Sequence, residues 1–203
     1  MKKTSELPIV SFADPLSFES WMDNNCDSSP GIRLQIAKKN SGILTISYKE
    51  ALDVALCYGW VDSQKEAFDE KTWLQRFTPR GPKSIWSKVN KDKAEQLIAN
   101  GRMKNSGYKS IEEAQKNGNW DKAYESQRIA SLPEDFAIEL ERNSEAKAFY
   151  DTLDKQNKYA IVFRINTAKK QETRDKRIRQ FIQMLEEGKK IYPSPRTRTI
   201  TER

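Results

Sequence analysis

The stretch SYKEALDVALCYGWVDSQ, residues 47–64, decides the fold class. Ser47 stands three residues before Glu50, the spacing at which the two side chains accept from each other's backbone N–H, so a helix opens there. From Ala51 to Tyr58 apolar residues occupy most faces, which predicts a central helix. Gly59 ends it, and Trp60 to Gln64 reads as a strand. A second strand, Thr72 to Phe77, follows the polar segment Lys65 to Lys71. A buried helix that turns directly into a pair of strands points to α+β.

Upstream, Asp14-Pro15 supplies an N-cap acceptor followed by proline at N1. The helix it opens runs to about Asn24 and sets Phe18, Trp21 and Met22 on one face. Ile32, Leu34 and Ile36 alternate with Arg33 and Gln35, the period of a half-buried strand. Downstream, Pro79-Arg80-Gly81-Pro82 forbids regular structure, and the rest reads as helix. Asn90 is the expected cap of a helix ending before Gly101, and Ser110 with Glu113 the cap of another stopping near Gly118. Pro133 opens a third and Ser144 a fourth of about twenty residues, which takes in Tyr159 to Ile165. The last, Gln171 to Glu187, carries Ile178, Phe181, Ile182 and Leu185 at helical spacing and closes at Gly188. The fold class is therefore α+β, a small β-sheet with packed helices in the N-terminal half and a helical C-terminal half. The expected divisions are residues 1–90, residues 91–190 ending in a helix-loop-helix, and a frayed basic tail over 191–203.

Composition narrows the chemistry. With no histidine among 203 residues, Ser-His-Asp and Cys-His catalysis and His-ligated zinc are excluded. Phosphate loops of the GxxxxGK[ST] and GxGxxG kinds are absent, as is a GxSxG elbow. Neither Cys26 nor Cys57 has a metal-ligand spacing around it, so no metal and no cofactor is expected. The opening MKKTSELPIVSFADP meets Glu6, Pro8 and Asp14 before any apolar run, and no stretch approaches the ~20 apolar residues of a membrane span. A cytoplasmic protein without a membrane span is the expectation.

The net charge of +7 is uneven. Residues 155–203 carry 14 Lys/Arg against 5 Asp/Glu, whereas residues 1–154 carry 22 against 24. Such asymmetry predicts an anionic partner, either a nucleic acid or a small phosphorylated or carboxylated ligand. Two segments are candidates for it. One interleaves Trp73, Phe77 and Trp86 with Arg76, Arg80 and Lys83, a pattern that serves either as a groove for stacked bases and phosphates or as core indoles with a solvated cationic rim. Within its reach Trp60 and Asp62 share a strand face, where Asp62 reads as an acid or base beside Arg76, or as a structural ion pair. The other surrounds the junction of the last two helices, where Arg164, Lys169, Lys170, Arg174 and Arg177 frame a helix N-terminus, as an anion site or as a solvated basic face.

Three stretches carry a resemblance: Ala55 to Asp62, Trp73 to Arg80 with Ser84 to Lys88, and Thr167 to Arg174 running into Arg177-Ile178. In this order they resemble the bacterial YdeI/OmpD-associated family, also labelled bacteriocin-protection proteins, over about residues 12–192. The sequence departs from that pattern at Ser63, Gly81, Asn166 and Gln171, where the family frequently has glycine, a basic residue, histidine and proline. The resemblance implies a bacterial protein that protects against bacteriocins or cationic antimicrobial peptides, with an association to an outer-membrane porin. The first reading of this chain is a cytosolic, non-enzymatic member of that family, acting by binding in stress or antimicrobial-peptide tolerance. The alternatives from the residues are a nucleic-acid-binding accessory protein using the basic C-terminal helices with Trp73–Trp86, and an enzyme on a small anionic substrate.

Overall fold

A computed structural model describes residues 7–125 and 131–193. It divides into two compact units, one ending at Ala123 and one beginning at Tyr124. The fold is α+β: among the described residues, eight helices accompany one four-stranded mixed sheet.

The first unit holds strands β1 (Ile9–Val10), β2 (Ile32–Ala37), β3 (Trp60–Ala67) and β4 (Thr72–Pro79) with helices α1 (Pro15–Asn25), α2 (Tyr48–Cys57), α3 (Lys88–Ala99) and α4 (Asn105–Lys116). The sheet order is β1-β2-β4-β3, with β1 parallel to β2 and the other pairs antiparallel. Ile32 lies opposite Phe77, so the alternation read from β2 directs Ile32, Leu34 and Ile36 to the same face as Phe77. That face meets Phe18 and Met22 of α1 and the buried residues of α2 in one core. Both upstream caps form: the Asp14 and Ser47 side chains each accept from the N3 backbone N–H, and their own N–H groups donate to the side chains of Ser17 and Glu50.

The core does not stop at residue 90. Leu97 of α3, Met103, Ile111 and Ala114 of α4 and Trp120 all join it, so two helices read as part of the helical half pack with the sheet. Their starts also differ from the reading. Ser87 caps α3, its hydroxyl accepting from the Asn90 N–H, so Asn90 is the N3 residue. Helix α4 begins five residues before Ser110, without a side-chain cap. Its start is set by packing: the Lys104 N–H donates to the Cys57 carbonyl, and Met103, Gly107, Ile111 and Ala114 form the buried stripe.

Strand β3 runs three residues past Gln64 because a register shift between Asp62 and Lys65 accommodates the polar continuation. The carbonyls of Ser63 and Gln64 freed by that bulge accept from the Gln75 amide, which is why a glutamine is buried there.

The second unit contains α5 (Glu134–Arg142), α6 (Ser144–Thr152), α7 (Lys155–Asn166) and α8 (Gln171–Glu186) around a core of Phe136, Leu140, Leu153, Ile161, Ile165, Ile178 and Leu185. The twenty-residue helix expected from Ser144 is two helices. Leu153 turns extended and buries its side chain, and Asp154 caps α7 by accepting from the Asn157 N–H at 2.7 Å. Gly188 closes α8 with φ near 65°. The tail from residue 194, read as frayed, lies outside the described residues.

Candidate functional site

The Trp73–Trp86 segment is largely spent on packing. Phe77 and Trp86 are fully buried, and Trp86 stands edge-on to Trp120 at 4.8 Å. The Arg80 guanidinium lies 3.7 Å from the Trp86 ring centre, and its Nη1 donates to the Ile85 carbonyl at 3.3 Å. The adjoining loop is pinned: Asn117 donates to the Pro82 carbonyl and Asn119 to that of Ser84. The cleft shared by Arg80 and Trp86 measures about 10 Å³, room for one water. Lys83 is exposed. Trp73 is half-buried under the Lys65 ammonium, 4.2 Å from its ring centre. No stacking groove is gathered from these residues.

Trp60 is buried, its indole N–H donating to the Cys26 carbonyl at 3.1 Å. Asp62 lies opposite Phe77, so it and Arg76 project to opposite faces of the sheet. Asp62 instead accepts from the Tyr48 hydroxyl at 2.7 Å. Burial and then that carboxylate push the Tyr48 phenol well above its usual range. Arg76 reaches the Gln64 side chain at 3.5 Å. The acid-and-clamp pairing read from the sequence is not brought together. Cys57 is no nucleophile either: burial pushes its thiol up to about 11, and the thiolate is the reactive form.

The basic junction of the second unit divides in the same way. Arg174 donates from Nε and Nη2 to the two oxygens of Asp135, at 2.5 and 2.8 Å. Its Nη1 reaches the Ile165 carbonyl at 3.2 Å and the Asn166 side chain at 3.4 Å. Arg177 donates to the Arg164 carbonyl and to the Thr167 hydroxyl. The last carbonyls of α7 have no partner within their own helix, so these two arginines act as its C-terminal cap. Asn166 is an acceptor in that cap. Lys169 and Lys170 are exposed at the turn between α7 and α8.

Arg164 is different. Among the described residues two of its five donors are engaged, Nη1 with the Ala160 carbonyl at 3.1 Å and Nη2 with the Tyr192 hydroxyl at 3.5 Å. It borders an open groove of about 410 Å³, lined by Tyr124, Tyr159, Phe163 and Tyr192 together with Gln156 and Ala160. The walls are ordered by ring contacts: Tyr124 meets Phe163 edge-on at 4.9 Å, and Tyr159 lies 5.8 Å from Phe163. The Tyr159 hydroxyl donates to the Glu125 carbonyl at 3.2 Å. Tyr192 is held by buried Asn157, which accepts from its N–H at 2.9 Å and donates to its carbonyl at 3.2 Å. Of these residues only Arg164 was singled out by sequence. The others carried a signal that reads as core, because Gln156, Tyr159, Ala160, Phe163 and Arg164 follow helical spacing beside the buried stripe of Asn157, Ile161 and Ile165.

Two family models match the chain. A domain of unknown function, DUF8412, covers residues 10–110, and the family described as bacteriocin-protection, YdeI or OmpD-associated covers residues 130–188. No curated protein and no solved structure matches. The Ala55–Asp62 and Trp73–Lys88 stretches fall in the first match, and only the Thr167–Ile178 stretch falls in the second, so the family's model covers less than the span of the resemblance. Within that span the resemblance holds: residues 130–188, in the second unit, match the bacteriocin-protection, YdeI or OmpD-associated family.

Proposed function

We propose that the protein acts by binding an anionic partner in the cytoplasm, as a non-enzymatic contributor to bacteriocin or antimicrobial-peptide tolerance. One observation carries this reading: Arg164 stands on an open aromatic groove with no carboxylate in its lining among the described residues, in the part of the chain that holds the basic excess. A cation without an acid partner favours an anionic guest, and the surrounding rings lower the competition from water. The tolerance role is supported by the description of the family that residues 130–188 match, bacteriocin-protection, YdeI or OmpD-associated. The same charge opposes direct capture of cationic peptides, so the partner is a component of the cell and not the toxin. Between the two anionic partners considered, the small ligand is favoured over nucleic acid, since Phe77 and Trp86 offer no face for stacked bases.

Deletion of the gene, with survival counted after bacteriocin and polymyxin challenge, tests the role. Lower survival that is restored by the intact gene, and less well by Arg164→Gln, is the expected result. Unchanged survival in the deletion strain contradicts the proposal.

A further inference from the structure

The binding proposed above leaves the guest's chemistry open, and the groove narrows it. We infer that the groove of the second unit is a site for a small planar ring bearing one anionic group, carboxylate or phosphate; this rests on the reading of the protein as an anion binder.

Three features of the groove set these requirements. Its volume, about 410 Å³, falls in the range of small-molecule sites and is too small for an extended polymer to be enclosed. Its walls are aromatic on more than one side: Tyr124, Tyr159 and Phe163 form one contiguous cluster, and Tyr192 stands over the Arg164 guanidinium at 5.7 Å. Such surfaces take a flat ring by offset stacking or by edge-to-face contact. The charge is single and fixed. Among the described residues Arg164 forms no salt bridge with a carboxylate and no acidic side chain lines the groove, and its guanidinium is held to α7 through Nη1 on the Ala160 carbonyl. One guanidinium matches one carboxylate or one phosphate in a forked pair.

The groove is also prepared in advance. Asn157 fixes the Tyr192 backbone from both sides, and the Tyr159 hydroxyl is anchored on the Glu125 carbonyl. Rings held in place before the guest arrives reduce the ordering cost of binding. The Gln156 amide, also in the lining, adds a donor and an acceptor for a ring substituent.

Isothermal titration of the full chain with adenosine 5′-monophosphate and with indole-3-carboxylate tests the site, because the two share the ring-plus-anion pattern and differ in the anion. Adenosine and inorganic phosphate serve as the separated halves. The expected result is sub-millimolar binding of at least one ring-bearing anion, with each half at least tenfold weaker on the unmodified protein. Arg164→Gln, verified as folded by circular dichroism, is expected to weaken the ring-bearing anion at least tenfold and to leave adenosine unchanged. Which of the two anions binds more tightly identifies the source as phosphate or carboxylate. No binding of either at millimolar concentration overturns the inference, as does equal affinity for inorganic phosphate alone. A fluorescein-labelled oligonucleotide, followed by anisotropy in parallel, separates the two levels. Oligonucleotide binding without ring-anion binding overturns this site and leaves an anion-binding protein, whereas loss of both overturns that reading as well.

Discussion

Asp135 accepts both forks of Arg174, and that hydrogen bonding outweighs its desolvation, holding its carboxyl below the ordinary value of 3.8. A carboxylate whose folded pKa is depressed contributes stability that is complete above the unfolded pKa and is lost as pH falls through the folded one. Thermal unfolding followed by circular dichroism should therefore show a midpoint that is level from pH 7 to about pH 5 and falls below about pH 4. Arg174→Gln should lower the midpoint at pH 7 and remove part of that acid dependence; an unaltered pH profile in the variant would contradict the assignment. At this scale the sequence displays identity without employment. Arg164, Arg174 and Arg177 look alike in a basic run, yet two of them cap α7 and one borders a groove. The difference comes from Asp135, which pairs with Arg174 across 39 positions and leaves no local pattern. Trp60 and Trp86, candidates for ligand contact in the sequence, are instead buried, the outcome favoured by the area each removes from water.

Elements form where local signals and packing agree, and they shift where packing decides alone. Asp14 and Ser47 open their helices as the residues indicate. Helix α4 does not start at Ser110, because its place is fixed by Gly107 against α2. A Cβ built at Gly107 would stand 2.2 Å from the Cys57 carbonyl oxygen and 2.3 Å from the Met103 sulfur. Gly59 is in the same contact, with φ near 73° and a built Cβ only 2.8 Å from the Ser106 carbonyl oxygen. Close approach of two backbones is invisible to periodicity and appears in sequence only as an unexplained glycine. Gly107→Ala is thus expected to destabilise the protein by roughly 1–3 kcal/mol, the range for overpacking a tight core. Urea denaturation measures it, and a variant within about 0.5 kcal/mol of the parent, the size of an ordinary surface substitution, would refute the contact's importance. The break between α6 and α7 was legible in principle, since Asp154 precedes Asn157 by three. The continuous apolar run that follows masked it.

On the scale of the whole molecule, the family matches separate along the chain. The matched domain of unknown function lies in the first unit and the bacteriocin-protection match in the second, whereas the basic excess belongs to residues 155–203 alone, 14 Lys/Arg against 5 Asp/Glu. The α+β class and strands β2, β3 and β4 were readable because helix caps and strand alternation are local, whereas β1, two residues long, is too short to show an alternation. The groove was not, since Tyr124, α7 and Tyr192 meet only after the second unit folds. No helix among the described residues is long and apolar enough to cross a membrane. The central claim is that the second unit receives an anion at Arg164. Amide-resolved NMR of the ¹⁵N-labelled full chain, titrated with adenosine 5′-monophosphate, tests it most directly by reporting where the guest lands. The account predicts saturable shifts concentrated on α7 around Tyr159 to Arg164 and on Tyr124 and Tyr192. Shifts centred on the Arg80–Ser84 loop, or none at millimolar ligand, would contradict it.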